Sequence, residues 1–213
     1  MAEPVELKIT RGKTLSQLIA WENADQIVRK PITGISLAAG APRITAVGHG
    51  APNRWRCAAV MVKGMKQINA VGEPLCGDNY HRATVIDADT VEFNDITPVD
   101  AAGKEWPAYE SGGFLIYYAP LDLANKVVDV VIKDKVGGTV LLSSRAGDAP
   151  LNKITATVDN AAKTILIRIG AADTAAIAWN KAVWEAEIRD TVTGDVFPLI
   201  PVSPVLVGNE VAS

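Results

Sequence analysis

Residues 183–190 read Val-Trp-Glu-Ala-Glu-Ile-Arg-Asp, a strict alternation. Trp184, Ala186 and Ile188 fall on one face, and Glu185, Glu187 and Arg189 fall on the other. A period of two belongs to a half-buried strand, because an amphipathic helix repeats its apolar positions at helical spacing. A turn follows at Thr191–Asp195, where Gly194 can take positive φ, and Val196–Ile200 returns as the second strand of a hairpin. Two more hairpins read the same way. Lys153–Val158 pairs with Lys163–Ile169 across 159–162, and Val127–Ile132 pairs with Thr139–Leu142 across a turn ending in Gly137 and Gly138. Hairpins at this spacing predict an all-β chain built on an antiparallel β-sandwich. Pro198, Pro201 and Pro204 cannot donate to a ladder, which places the last strands at a sheet edge.

Two segments leave their local structure open. Ala171–Trp179 is alanine-rich, with Asp173 as an N-cap candidate, and predicts only a short helical turn near 173–177 because alternation resumes at Val183. Thr14–Trp21 suits a helix through Leu15, Leu18 and Ile19, or a strand through Leu15, Gln17, Ile19 and Trp21.

The middle of the chain has a different texture. Short strands at 43–47, 57–62, 81–86, 90–93 and 113–118 alternate with turns at Gly48–Pro52, Lys63–Met65, Asp87–Asp89 and Ser111–Gly113. This punctuation predicts a small β-barrel or β-roll at 34–119, inserted into one loop of a sandwich made from 1–33 and 120–213. An insertion of that kind is tolerated because the termini of a compact module commonly lie close together.

Composition removes several function classes. The 213 residues carry 21 Lys and Arg against 24 Asp and Glu, a net charge of −3. That balance lacks the basic footprint of a nucleic-acid binder or a polybasic membrane-surface protein. With 48% hydrophobic and 21% charged residues, the chain is expected to fold rather than remain disordered. No apolar run is long enough to span a bilayer, and the N-terminal residues show no signal-peptide pattern, which implies synthesis in a cytoplasm.

Chemistry-bearing residues are sparse. His49 sits between two glycines and His81 starts a strand, and neither has a marked acid and nucleophile beside it. Both are expected to be structural. Cys57 is expected to be a packed thiol; a bridge to Cys76 is possible but unsupported by the pattern. Asp78, Asn79, Asp87 and Asp89 lack calcium-loop spacing and read as turn residues. Glu73, Asp95, Asp100 and Glu105 could supply a glycosidase pair, a chemistry that depends on separation in space. The loop 94–111 carries Trp106 and Tyr109, aromatics that could bind a sugar but are rather expected to anchor a protein contact or fold back on their own module. No cofactor and no metal are expected.

Within the middle segment, Ile44-Thr-Ala-Val-Gly-His-Gly50, Val60-Met-Val-Lys-Gly-Met65, Ile68-Asn-Ala70, Ala83–Phe93 and Ser111-Gly-Gly113 resemble a β-module common in phage tail proteins. That module is similar to the first catalytic-cysteine half-domain of ubiquitin-activating enzymes, and the resemblance implies none of their chemistry. On the flanks, Ile9-Thr-Arg-Gly-Lys-Thr14, Ile19-Ala-Trp21, Leu121-Asp-Leu-Ala124, Lys163–Ile169, Ala172-Asp-Thr174, Ala182–Ile188 and Gly194-Asp-Val196 resemble the N-terminal sandwich of phage baseplate and tail-fibre-attachment proteins.

The resemblance implies a non-enzymatic structural protein of a phage virion, located in the tail, baseplate or fibre-attachment apparatus. Its partners would be other tail, baseplate or fibre proteins and copies of itself, as a symmetric homo-oligomer such as a trimer or hexamer. The rivals are a receptor- or carbohydrate-binding module of a tail fibre, a head decoration protein and a cell-wall hydrolase. Candidate assembly contacts are Trp106 and Tyr109 on the long loop, with Phe197, Leu199, Ile200, Val205 and Leu206 on the proline-rich C-terminal segment.

Overall fold

In the computed structural model, residues 5–38, 40–71 and 80–209 are described. Fifteen strands run in chain order among them: β1 Leu7–Thr10, β2 Leu15–Ala20, β3 Glu22–Pro31, β4 Gly34–Ala38, β5 Ala41–Thr45, β6 Trp55–Val60, β7 His81–Val85, β8 Thr90–Glu92, β9 Phe114–Pro120, β10 Lys126–Lys133, β11 Val140–Ser143, β12 Ile154–Asp159, β13 Thr164–Ile169, β14 Lys181–Asp190 and β15 Val196–Gly208. A single helical turn, α1 Ala171–Ala175, precedes β14. The fold is all-β, as the alternation predicts.

Two compact units divide the chain: Met1–Ala20 with Asp122–Ser213, and Trp21–Leu121. Residues 21–33, which the sequence grouped with the flanks, belong to the insert. The reason is β3, which pairs antiparallel along β9 from Glu22 opposite Pro120 to Pro31 opposite Phe114.

The discontinuous unit is a sandwich of a five-stranded sheet, ordered β1-β15-β14-β10-β11, and a three-stranded sheet, ordered β12-β13-β2. All three predicted hairpins form, at β10–β11, β12–β13 and β14–β15. Val128, Val130 and Ile132 stand opposite Ile188, Ala186 and Trp184, and all six are buried. Ile154 on β12 and Ile165, Ile167 and Ile169 on β13 bury the corresponding face of the smaller sheet. Thr14–Trp21 resolves as a strand, with Ile19 paired to Ile165 and Leu15 to Ile169. A helix would have placed Leu18 inward, yet it is 52% exposed. At α1, Gly170 rather than Asp173 holds the N-cap position, and Asp173 lies in the first turn.

Arg11 organises one end of this unit. Its guanidinium donates to the carbonyls of Ile177 (2.8 Å) and Trp179 (2.9 Å), and to the side-chain oxygens of Asn180 (2.6 Å) and Asn209 (2.8 Å). The planar donor fork of arginine suits such a clamp. Thr174, fully buried, donates its hydroxyl to the carbonyls of Lys13 and Ala171, so α1 is tied to the turn between β1 and β2.

The inserted unit is one seven-stranded sheet, ordered β3-β9-β6-β7-β8-β5-β4, which curls into a half-barrel. Its two edge strands, β3 and β4, are consecutive in the chain. Ile32 donates its N–H to Gly113 at one end of the sheet, and Thr33 donates to Thr45 at the other. A two-residue link between opposite edges requires the sheet to curl back on itself. Trp55, Cys57, Ala59, Ile44, Val91, Phe93 and Leu115 fill the interior, while Ala58 and Ile116 pack on the other face of the sheet with Val60, Tyr80 and Phe114.

Candidate functional site

Strand β15 carries most of the candidate contacts, and its geometry sorts them. Only Val205 and Leu206, near its end, pair on both sides, because the short parallel strand β1 begins at Leu7 opposite Val205 and β14 begins at Lys181 opposite Leu206. Among the described residues, 196–204 pair with β14 alone, and Pro198, Pro201 and Pro204 all lie in that half. The proline rule therefore holds for half of the strand. Past Pro204 every residue has an N–H to offer, and β15 becomes internal to the sheet.

Pairing between β14 and β15 shifts register twice, around Ala186, and the shifts change which residues face inward. Leu199, Ile200 and Val205 lie in the sandwich core at 5%, 7% and 0% exposure. As contacts with another chain they are corrected: their side chains are already covered by this one. Phe197 (46%) and Leu206 (38%) face solvent, and Val196 (51%) and Val202 (43%), not singled out from sequence, join them. Simple alternation could not locate Val196 and Val202, because each bulge resets the phase.

The long loop of the inserted unit folds back on that unit. Tyr109 is half-buried, and its hydroxyl donates to the carbonyls of Ile32 (3.0 Å) and Gly112. Trp106 is also half-buried, and its N–H donates to Pro98. Beneath the loop lies Gly64, at φ +84°. A Cβ there would stand 2.2 Å from the Ala108 carbonyl and 2.8 Å from the Glu110 nitrogen. Glu110 and Lys63 exchange further support, since the N–H of Glu110 donates to Lys63 and that of Lys63 to Ser111. Gly64 is thus needed both for its turn and for the close approach of the loop.

The titratable candidates have structural partners. His49, 2% exposed, accepts the Ala51 N–H at Nδ1 (3.0 Å), which leaves Nε2 to donate to the Asp87 carbonyl (3.0 Å). Its own carbonyl accepts the Tyr117 hydroxyl. His81 contacts Asp95 through Nδ1 at 3.1 Å, and its ring lies 4.8 Å from that of Phe93. Cys57 is a fully buried free thiol, and desolvation raises its pKa far above the ordinary thiol range. The neutral form is inert as a nucleophile. Cys76 lies outside the described residues, as do Glu73, Asp78 and Asn79.

Asp87 and Asp89 serve one turn: Asp87 accepts the N–H of Asp89, and Asp89 accepts that of Gly48. The backbone N–H of Asp89 holds the Asp87 carboxyl below the usual range. Asp100 accepts the N–H groups of Ala102 and Lys104 within its own turn, and Glu105 is exposed. Among the described residues no group of three or more His, Cys, Asp or Glu is placed to hold a metal ion. No helix among them is long and apolar enough to cross a membrane.

On β15, Val196, Val202 and Leu206 are exposed on the outward face, and Phe197, opposite the buried Ile188, is exposed on the other; the outward face of the neighbouring strands is charged. On that face Lys133 pairs with Glu185 (2.7 Å), Arg145 with Glu187 (3.2 Å), and Arg145 and Arg189 with Asp129 (3.7 and 3.6 Å). Such an arrangement can recognise a surface. The chain matches no protein-family model and no curated protein.

Proposed function

We propose that this protein is a non-enzymatic structural component of a phage virion, in the tail, baseplate or fibre-attachment apparatus. It works through contacts with neighbouring virion proteins and with copies of itself. The observation that carries the proposal is the set of apolar side chains Val196, Phe197, Val202 and Leu206, all left exposed along a strand that is otherwise part of a tightly paired sheet. Apolar side chains clustered on one strand become favourable when another chain covers them. The half of β15 that lacks a β1 partner is interrupted by three prolines, which discourages indiscriminate edge pairing and leaves side-chain recognition as the means of contact. The resemblance of both units to phage tail and baseplate modules supports the same conclusion, and repeated copies around a symmetry axis would turn weak contacts into a stable assembly.

Cryo-EM of purified particles tests the proposal. The expected result is density for this chain with these β15 side chains buried against a neighbouring subunit. Absence of the protein from the particles, or these side chains lying open to solvent in them, overturns it.

A further inference from the structure

A separate feature of the inserted unit is a groove lined by Arg54, Tyr80, Arg82, Thr84, Asn94 and Asp95, with a volume of about 530 Å³. That size suits a small ligand. The groove follows from strand register. Trp55 pairs with Ala83, Arg56 with Arg82 and Cys57 with His81, so the arginines stand on the face opposite the buried Trp55, Ala83 and Cys57. Arg56 and Arg82 are direct cross-strand partners, a like-charge pairing that is unfavourable by itself.

One of these charges is compensated. Arg56 makes two hydrogen bonds to Glu22, at 3.0 and 2.6 Å, and lies over the Tyr80 ring at 5.3 Å. Asp95, the acid in the groove, is held by His81. The side chains of Arg54 and Arg82 have no acid partner among the described residues, although both line the groove. Next to them, Asn94 donates to the Thr84 hydroxyl oxygen at 2.9 Å. That leaves the Thr84 O–H free to donate and the Asn94 carbonyl oxygen free to accept.

We propose that this groove binds a small sugar bearing an oxyanion, with Arg54 and Arg82 taking the anionic group and Thr84 and Asn94 taking hydroxyls. Arginine is matched to carboxylate and phosphate by its planar fork of donors. A carboxylate on a hexuronic acid and a phosphate on a hexose phosphate present the same chemistry to that fork. The inference goes beyond the virion role and does not rest on it.

Titration calorimetry and NMR shift mapping on the full chain, with glucuronate, glucose 6-phosphate and glucose as probes, decide it. Millimolar binding of one or both anionic sugars, with glucose markedly weaker, is expected, and which of the two binds identifies the anion. Arg82→Gln and Arg54→Asn should each weaken binding about tenfold, the loss of one charge-assisted contact. Asn is chosen because Arg54 sits at φ 62°, which Asn tolerates. Arg82→Lys should fall between parent and Arg82→Gln, and thermal unfolding should show all three variants folded. Equal binding of glucose, binding insensitive to both arginine substitutions, or no binding of either anionic sugar overturns the proposal.

Discussion

The indole nitrogen of Trp184 donates a 2.8 Å hydrogen bond to the backbone carbonyl of Val5, joining positions 179 residues apart in the chain. The N–H of Val5 donates in turn to the Ser203 hydroxyl at 3.0 Å. The residues leading into β1 are thus fastened to the final hairpin of the same unit.

Trp184→Ala should therefore destabilise the protein by ~3–5 kcal/mol through cavity formation. Trp184→Phe, which keeps most of the ring volume, should cost clearly less. Chemical denaturation of the three proteins measures both; an alanine variant as stable as the parent would place Trp184 outside the core.

Gly64 and Gly48 make a matched pair. Both have positive φ, but a Cβ at Gly48 meets nothing within 4 Å, whereas at Gly64 it collides with backbone of residues 108–110. Gly48→Ala should cost only the backbone term of ~1–2 kcal/mol. Gly64→Ala should cost more and should open loop 94–111 to limited proteolysis, whereas Gly48→Ala leaves that loop protected.

Asp190 gives a pH signature. The Lys126 ammonium, followed by the N–H groups of Val192 and Thr193, holds its carboxyl down at about 2. An unfolded aspartate titrates near ~4. Because the folded value is the lower one, ionised Asp190 contributes stability that is fully present above ~4 and is lost as pH falls toward about 2. Asp190→Asn should be less stable than the parent at neutral pH, with the gap narrowing through that acidic window. Urea titrations at several pH values would detect it, and a gap that widens in acid would contradict the sign.

Cys57 should be unreactive in the folded protein. In a Cys76→Ser background, a disulfide-exchange reagent should label Cys57 only after denaturant is added, since burial keeps the thiol protonated. Rapid native labelling would contradict the buried, neutral assignment.

Phe197 and Val202 test the proposed assembly surface directly. Phe197→Asp and Val202→Asp replace exposed side chains, so thermal stability should stay close to that of the parent. Incorporation into particles, scored by mass spectrometry of purified virions from a complementation assay, should fall sharply. Normal incorporation of the double variant would remove β15 from the interface.

The sites divide along the same lines as these tests. His49, Asp87 and Asp89 could be assigned to turns from their neighbours alone, because Asx turns and glycine-flanked reversals are local chemistry. The β15 contacts could not be sorted in that way. Whether Leu199 or Val202 faces the core depends on two register shifts against β14, which are set by the partner strand. The groove was equally hidden, since Arg54, Arg82 and Asn94 are brought together by pairing among β6, β7 and β8.

By itself, the sequence determined the all-β class, the three hairpins and the inward face of β14, because side-chain alternation and turn chemistry act over a few residues. Tertiary structure alone decided that Thr14–Trp21 is a strand, that residues 21–33 join the insert, and that Trp184 meets Val5. Each of those outcomes depends on a partner far away in the chain. Local propensity is too weak to choose among such partners, and the burial gained by the whole sheet makes the choice.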